Sequence, residues 1–274
     1  MVTVIRHEGG VVELRFASLT SRAAGYAASA FLTPDGTLVD SAFPGARRDL
    51  VRALAGRPPR GAVITHHHED HAGNVAWLAQ RGIPTWLAPA TAVLLRDFGP
   101  IGFYRRFTWR SMAPLAAAPP PFDPAPLAPV ATPGHTADHH VAWDATTRTL
   151  YAGDLFLGVK VRIAHHDEDP YALVDSLERA AALAPVRLFC AHRGLVEDAA
   201  AQLRAKAAWH RALLAEIARR IAAGHDDRRI VKELMGGESA TGRASFGEYS
   251  RASLVATVRR RTADGGHAPA AVSS

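Results

Sequence analysis

Hydrophobic and polar residues alternate with a short period at the start of the chain. Residues 1–45 have the pattern of short strands joined by turns, and Asp35-Gly36 between two apolar runs predicts a β-hairpin. In residues 45–54 the apolar positions lie three and four apart, which is the spacing of an amphipathic helix. The wholly apolar segment 62–65 predicts a strand buried within a sheet.

The alternation of strand and helix patterns continues toward residue 98. A helix with one apolar face ends at Gly82, and a strand at 84–89 and another helix follow it. Strands that alternate with helices indicate an α/β protein in which helices cover the sheets.

Residues 99–129 break this pattern. They begin with aromatic residues and continue into a proline-rich stretch, which excludes a regular helix or a central strand. One interpretation is an ordinary surface loop. The other is an insert that acts as a lid, with substrate-binding side chains from Phe103, Tyr104, Phe107 and Trp109.

The second half contains strands, a hairpin, a helix near 170–183 and a last apolar strand at 186–192. From residue 197 the pattern is almost wholly helical. We therefore predict a catalytic domain at 1–196, a helical extension at 197–262 and a disordered tail at 263–274. The apolar stripe of the extension needs a cover, either the main domain or a second subunit in a homodimer; it comprises Leu213, Leu214, Ile217 and Ile221.

Composition narrows the class of protein. The 274 residues are 48% hydrophobic, which is enough for a large core. No apolar run is long enough to cross a bilayer, and the first residues lack the features of a signal peptide, so we expect a cytoplasmic protein with no membrane partner. The net charge of +6 is typical of a solvated basic surface, which makes nucleic acid the weaker candidate partner.

The segment THHHEDHAGN, residues 65–74, carries the candidate chemistry. An apolar strand leads into a loop that holds His66, His68, Asp70 and His71 within six positions. Imidazole and carboxylate groups together suit zinc. Residues two apart in an extended loop project to the same side, so His66 and His68 can hold one ion.

The motif His66-x-His68-x-Asp70-His71 resembles the signature of the metallo-β-lactamase superfamily, which includes thioesterases, lactonases, β-lactamases and nucleases. That pattern requires a later histidine, an aspartate and a final histidine, each at the end of a strand. TPGHT supplies His135, YAGDLF supplies Asp154 and FCAHRG supplies His192, in that order. The resemblance covers about residues 10–195.

The resemblance implies a four-layer αββα sandwich with a helical C-terminal extension. It implies two Zn²⁺ ions, with iron or manganese as alternatives, and a hydroxide that bridges them and attacks the substrate. Asp70 is expected to guide the nucleophile or a proton as a catalytic residue. The implied ligands are His66, His68 and His135 for the first ion, Asp70, His71 and His192 for the second, and Asp154 for both.

Several residues near these motifs have simpler interpretations. His67 is expected to point away from the metals, and Asp40 is expected to brace the metal loop from a buried position. For His139, a contact near the site and a plain structural role both remain open. Cys190, the only cysteine, is interpreted as a small buried hydrophobic residue. Lys160 and Arg162 are candidates for binding an acidic substrate.

Three functions compete. The first is hydrolysis of a small acyl substrate, namely a thioester, a lactone or a β-lactam. The second is a metal-dependent phosphodiesterase or ribonuclease, for which the basic C-terminal helices would have to face the metal cleft. The third is a binding module without activity, which the complete ligand set disfavours. The metal ligands define the type of reaction and leave the substrate open.

Overall fold

Two β-sheets lie face to face in the computed structural model, and helices cover both outer surfaces. The structure describes residues 1–263. This four-layer αββα arrangement confirms the predicted fold class. The predicted tail at 263–274 lies outside the described residues, apart from Ala263, which ends the last helix.

The first sheet contains six strands in sequence order, with antiparallel pairing from the first to the fourth strand and parallel pairing thereafter. The predicted hairpin joins its third and fourth strands, and Gly36 adopts a φ of 87°, which glycine tolerates without strain. The strands are β1 (Val2–Arg6), β2 (Val12–Phe16), β3 (Ala28–Leu32), β4 (Thr37–Val39), β5 (Gly61–Val63) and β6 (Thr85–Trp86).

The second sheet contains β7 (Leu127–Ala131), β8 (His140–Asp144), β9 (Thr149–Tyr151), β11 (Arg187–Cys190) and β12 (Gly194–Val196), in the order β12-β11-β9-β8-β7. The pairings make β7, β9 and β11 run in one direction, so their carboxyl ends meet at the same edge. A separate pair is formed by β10 (Ala164–His165) and β13 (Tyr249–Ser250). Pro129 lies in β7, an edge strand, where its missing N–H is tolerated.

The helices of the main domain are mostly short, and the longest helix belongs to the C-terminal extension. A 3₁₀-helix, Pro44–Ala46, precedes the second α-helix. The α-helices are α1 (Leu19–Ala23), α2 (Arg47–Leu54), α3 (Glu69–Ala72), α4 (Val75–Gln80), α5 (Pro89–Leu94), α6 (Phe103–Trp109), α7 (Pro170–Ala182), α8 (Ala199–Ala222), α9 (Asp227–Met235), α10 (Ala240–Ala244) and α11 (Arg251–Ala263).

Successive side chains of a strand point to opposite faces of its sheet, and this alternation produces both layers of the core. Alternate side chains, such as Phe31, Val63, Tyr151 and Phe189, fill the space between the sheets. Their neighbours in sequence point outward and pack against the helices. This arrangement is what places the strand ends of both sheets beside one another.

The apolar stripe of the C-terminal extension packs against the main domain. Leu214 and Ile217 are buried in the same cluster as Leu177 of α7. Leu213 and Ile221 are partly buried there. None of the helices within residues 1–263 combines the length and the apolar character needed to cross a lipid bilayer.

Candidate metal centre

The histidine-rich loop follows β5 and is held in place by Asp40. One carboxylate oxygen of Asp40 accepts a hydrogen bond from Thr65 N at 2.8 Å, and the other accepts one from His71 Nδ1 at 2.8 Å. Because Nδ1 of His71 faces Asp40, its Nε2 is directed to the opposite side, where the neutral form of the ring would offer a lone pair to a metal ion. Burial opposes protonation of His71, but Asp154, Asp40 and Asp70 outweigh it and raise its pKa well above the usual value.

All seven predicted ligands converge on one place. Their ligand atoms form three overlapping groups, and within each group the atoms lie within 4.8 Å of one another. The groups are His66, His68 and His135; His66, His71 and Asp154; and Asp70, His71 and His192.

Asp154 lies between the two outer groups. Its Oδ2 is 3.4 Å from Nε2 of His135, while its Oδ1 is 3.3 Å from Nε2 of both His71 and His192. Asp70 Oδ2 lies 3.4 Å from the same nitrogen of His192. The two oxygens of Asp154 therefore face different sets of histidines, so this carboxylate would be within reach of an ion held by either set.

The centre contains buried polar atoms that no protein group satisfies. His66 Nε2, His71 Nε2 and Asp154 Oδ1 have no hydrogen-bond partner among residues 1–263. Native proteins rarely leave such atoms unpaired, because the loss of hydration costs about 1–3 kcal/mol for each group. Burial also lowers the pKa of His66 and His68 well below the usual value, which keeps their rings neutral. Imidazole nitrogens and carboxylate oxygens of this kind are suitable ligands for divalent cations.

Contacts behind the cluster fix the direction of the imidazole rings. Nδ1 of His135 contacts Glu168 at 2.9 Å, and Nδ1 of His192 donates to Ala27 O at 2.6 Å, so both rings present Nε2 to the centre. His68 is different, because its Nδ1 lies 3.1 Å from Nε2 of His135. His139 accepts from Asp154 N at 3.1 Å, which gives it a role in holding the Asp154 loop.

His67 points away from the centre, as its position in the motif led us to expect. Its Nδ1 and its backbone N–H both bind Asp138, at 2.8 and 2.9 Å, and Thr91 donates to the same carboxylate. Burial alone would raise the pKa of Asp138, but the hydrogen bond from His67 holds it well below the usual value. Asp138 thus ties the first metal loop to the TPGHT loop.

We expect Asp40→Asn to weaken metal binding about 10- to 100-fold, the usual effect of losing a group that orients a ligand. An amide has one acceptor oxygen and cannot serve both Thr65 N and His71 Nδ1. Competition with a chromophoric chelator measures the affinity. Asp175→Asn, on the exposed side of α7, is the matched control and should leave it unchanged. Equal affinities for the two variants would contradict the bracing role.

The centre opens into a cavity of about 450 Å³ whose walls come from distant parts of the chain. Tyr104 and Trp109 of the insert line it, whereas Phe103 and Phe107 are 72% and 66% exposed and stack on each other at the surface. The structure thus brings two of the four predicted substrate-binding aromatic residues to the cavity.

Arg105 of the insert binds the buried Glu69 of the metal loop with two hydrogen bonds. Burial raises the pKa of Glu69 in spite of this ion pair. Tyr26 and Tyr104 also share a hydrogen bond of 2.6 Å at the cavity wall. These contacts attach the insert to the site, and the sequence pattern pointed to neither of them.

Lys160 and Arg162 line the cavity, as a role in binding an acidic substrate requires. Lys206 and His210 of α8 line it too, and they were not among the candidate residues. A signal for them existed, because both fall on the buried stripe of α8 defined by Leu203, Leu214 and Ile217, where apolar residues are expected.

A family model for the metallo-β-lactamase superfamily matches residues 35–192. Among curated proteins, the chain is similar to a hydroxyacylglutathione hydrolase of Pseudomonas savastanoi pv. phaseolicola, with 36% identity over 47% of this chain and 46% of the relative. It is also similar to a β-lactamase-like protein 2 homolog of Caenorhabditis elegans, with 30% identity over 49% of this chain and 42% of the relative. The chain thus spans about half the length of the curated relatives it matches.

Solved structures show the same fold at low sequence identity. A metallo-β-lactamase from Erythrobacter litoralis has a TM-score of 0.59 and 20% identity, and the match covers 76% of this chain and 96% of that one. A metallo-β-lactamase family protein from Thermus thermophilus has a TM-score of 0.59 and 18% identity, with 97% and 93% covered. The second match extends over the C-terminal helices, so these helices occur in another protein with this fold.

Proposed function

Because the chain belongs to the metallo-β-lactamase superfamily, and because seven histidine and aspartate side chains converge at one end of its sandwich, we propose that it is a metal-dependent hydrolase of a small acyl substrate. The substrate classes are thioesters, lactones and β-lactams. We rank thioesters first among them, and relatives named hydroxyacylglutathione hydrolase support this order, since an S-acylated glutathione is a thioester.

The observation that carries this proposal is the set of buried, unpartnered donor atoms on His66, His71 and Asp154. Two zinc ions suit the donor set, and iron or manganese suits it as well. When bound, such ions supply the Lewis acidity that activates water and polarises a carbonyl group. One ion would be held by His66, His68 and His135, the other by Asp70, His71 and His192, and Asp154 would belong to both.

The protein's own groups have defined roles in this chemistry. Burial opposes ionisation of Asp70, but His71 and His192 outweigh it and lower its pKa, so Asp70 remains a carboxylate at the cavity wall and can accept a proton. Burial and the contact with Tyr104 raise the pKa of Tyr26, so its hydroxyl keeps its proton and can hold a substrate oxygen. The tyrosine pair and Trp109 form an apolar wall with a polar edge, which suits a small organic molecule.

Proton release by the metal-loaded protein tests the proposal against a panel of thioesters, lactones, β-lactams and phosphodiesters. We expect one acyl class to be hydrolysed, and we expect a chelator to abolish the reaction until metal is restored. Metal analysis should give about two ions per chain. The proposal would be contradicted if hydrolysis continued in the presence of the chelator, or if none of the acyl classes were hydrolysed.

Contacts of the C-terminal arginines disfavour the phosphodiesterase alternative. Arg259 is paired with Asp227, and Arg251 donates to the carbonyl groups of Met235 and Gly237. These arginines of the extension therefore hold its helices together. Turnover of phosphodiesters alone in the same panel would reverse this preference.

A further inference from the structure

Helix α8 carries two polar side chains in the middle of its buried face. Lys206 is 1% exposed and His210 is 4% exposed. They lie four residues apart, so they project from the same side of the helix. Leu203, one turn before Lys206, and Leu214, one turn after His210, continue that face into the apolar core. Polar groups at such positions require partners.

Lys206 is a buried cation with incomplete partners. Its ammonium donates to Leu155 O at 2.7 Å and to Phe156 O, which leaves one of its three N–H groups unused. No carboxylate of residues 1–263 lies within ion-pair distance of it, and Glu168 and Asp154 act on its charge only from further away. Burial lowers its pKa to about 8, so the charged form still prevails at neutral pH. Buried charges are normally balanced by a nearby opposite charge.

The imidazole of His210 has no hydrogen-bond partner in the described part of the chain. Neither Nδ1 nor Nε2 makes a hydrogen bond, although both atoms are buried. Burial and the neighbouring Lys206 lower its pKa to about 3, so the ring is neutral and carries one N–H donor. A cation and a neutral donor therefore stand side by side, each with unused hydrogen-bonding capacity.

Both side chains line the cavity that also contains Asp154 and His135. Leu157 and Leu173 contribute apolar surface to the same cavity. A ligand with an acyl group at the metal centre and an anionic group at α8 would thus pass over apolar walls.

We propose that Lys206 and His210 form a carboxylate-binding subsite, which selects acyl substrates that carry one negative charge away from the scissile bond. This inference rests on the proposed function, because it names the substrate class of the same cavity. A carboxylate matches the one positive charge of the buried Lys206 and offers two oxygens for two donors. A phosphate dianion carries a second negative charge, which the single ammonium of Lys206 does not balance.

The test compares two ligands of the same shape, hydrocinnamate and its uncharged amide, by calorimetric titration of the full-length, metal-loaded protein. We expect the wild type to bind the carboxylate about 10-fold or more tightly than the amide, since hydrogen bonds to a charged acceptor are stronger than those to a neutral one. Lys206→Met and His210→Leu should abolish this preference. His210→Gln, which keeps a donor, should retain part of it.

A merely structural lysine would behave differently, because its loss would alter stability without changing the ratio of the two affinities. Arg204→Met is the matched control, since Arg204 is an exposed cation of the same helix outside the cavity and should leave the preference intact. If Lys206→Met does not fold, as judged by circular dichroism, the two His210 variants decide the question.

The inference is overturned if hydrocinnamate does not bind at millimolar concentration. It is also overturned if Lys206→Met and His210→Leu both keep the preference, or if Arg204→Met removes it. If no substrate of the panel is hydrolysed but the preference for the carboxylate depends on Lys206 and His210, the hydrolase proposal is refuted and the subsite is supported. If an acyl substrate is hydrolysed but the wild type does not prefer the carboxylate, the hydrolase proposal is supported and the subsite is refuted.

Discussion

Replacing Asp154 by asparagine is expected to lower kcat/KM of the hydrolysis by about 1000-fold, which corresponds to about 4 kcal/mol of lost transition-state stabilisation. The reason is its position, because the two carboxylate oxygens face His135 on one side and His71 and His192 on the other. An amide occupies the same volume but carries no charge. It therefore could not offset the repulsion between the two cations that the proposed centre would hold.

Metal analysis and kinetics on the same preparation separate the causes. We expect Asp154→Asn to retain at most one ion per chain, and excess metal should restore little activity. Asp175→Asn provides the control, since it makes the same chemical change on the exposed surface of α7. Full metal content together with activity within a few-fold of the wild type would show that Asp154 is not the shared ligand.

Arg105→Met is expected to lower the free energy of unfolding by about 3–5 kcal/mol, the cost of breaking a buried ion pair by removing one partner. Arg105 is 13% exposed, and the carboxylate of Glu69 is only 1% exposed. Methionine preserves much of the apolar stem but leaves the carboxylate without its guanidinium. Glu248 of the C-terminal extension lies 3.8 Å from the same arginine, so three parts of the chain depend on this side chain.

Denaturant unfolding of the chelated protein measures this effect without a contribution from bound metal. Arg52→Met breaks an exposed ion pair with Asp49 and should cost less than about 1 kcal/mol. The double variant Glu69→Leu/Arg105→Met should recover most of the loss, because it removes the buried charge together with its partner. A single variant as stable as Arg52→Met would contradict the role assigned to Arg105.

The layered fold was predictable because local patterns determine it. The hairpin at Asp35-Gly36 and the buried strand before the metal loop appear where the period of two and the turn residues placed them. Asp226 caps α9 and Gly236 ends it in a left-handed conformation, as their residue types suggest. In each case the determining interaction lies within a few residues along the chain.

The site was predictable only in part, for the same reason. The ligand motifs are short and follow strands, so their order along the chain was readable. The ion pair of Glu69 with Arg105 joins residues 36 positions apart, and the hydrophobic periodicity of the sequence does not determine where the insert packs. Phe103 and Phe107 face solvent because α6 turns its other side, with Tyr104 and Trp109, toward the cavity.

The division of the proposed ligands between the two sheets would link metal supply to the lifetime of the protein. Four of them follow β5 in the first sheet, while His135, Asp154 and His192 follow β7, β9 and β11 in the second. Neither sheet supplies a complete set, so ions bound at the proposed centre would hold the two sheets together. By mass action, a metal concentration 100 times its Kd adds about 2.7 kcal/mol to the stability of the folded state. Metal starvation would therefore remove this protein through unfolding and degradation as well as through lost catalysis.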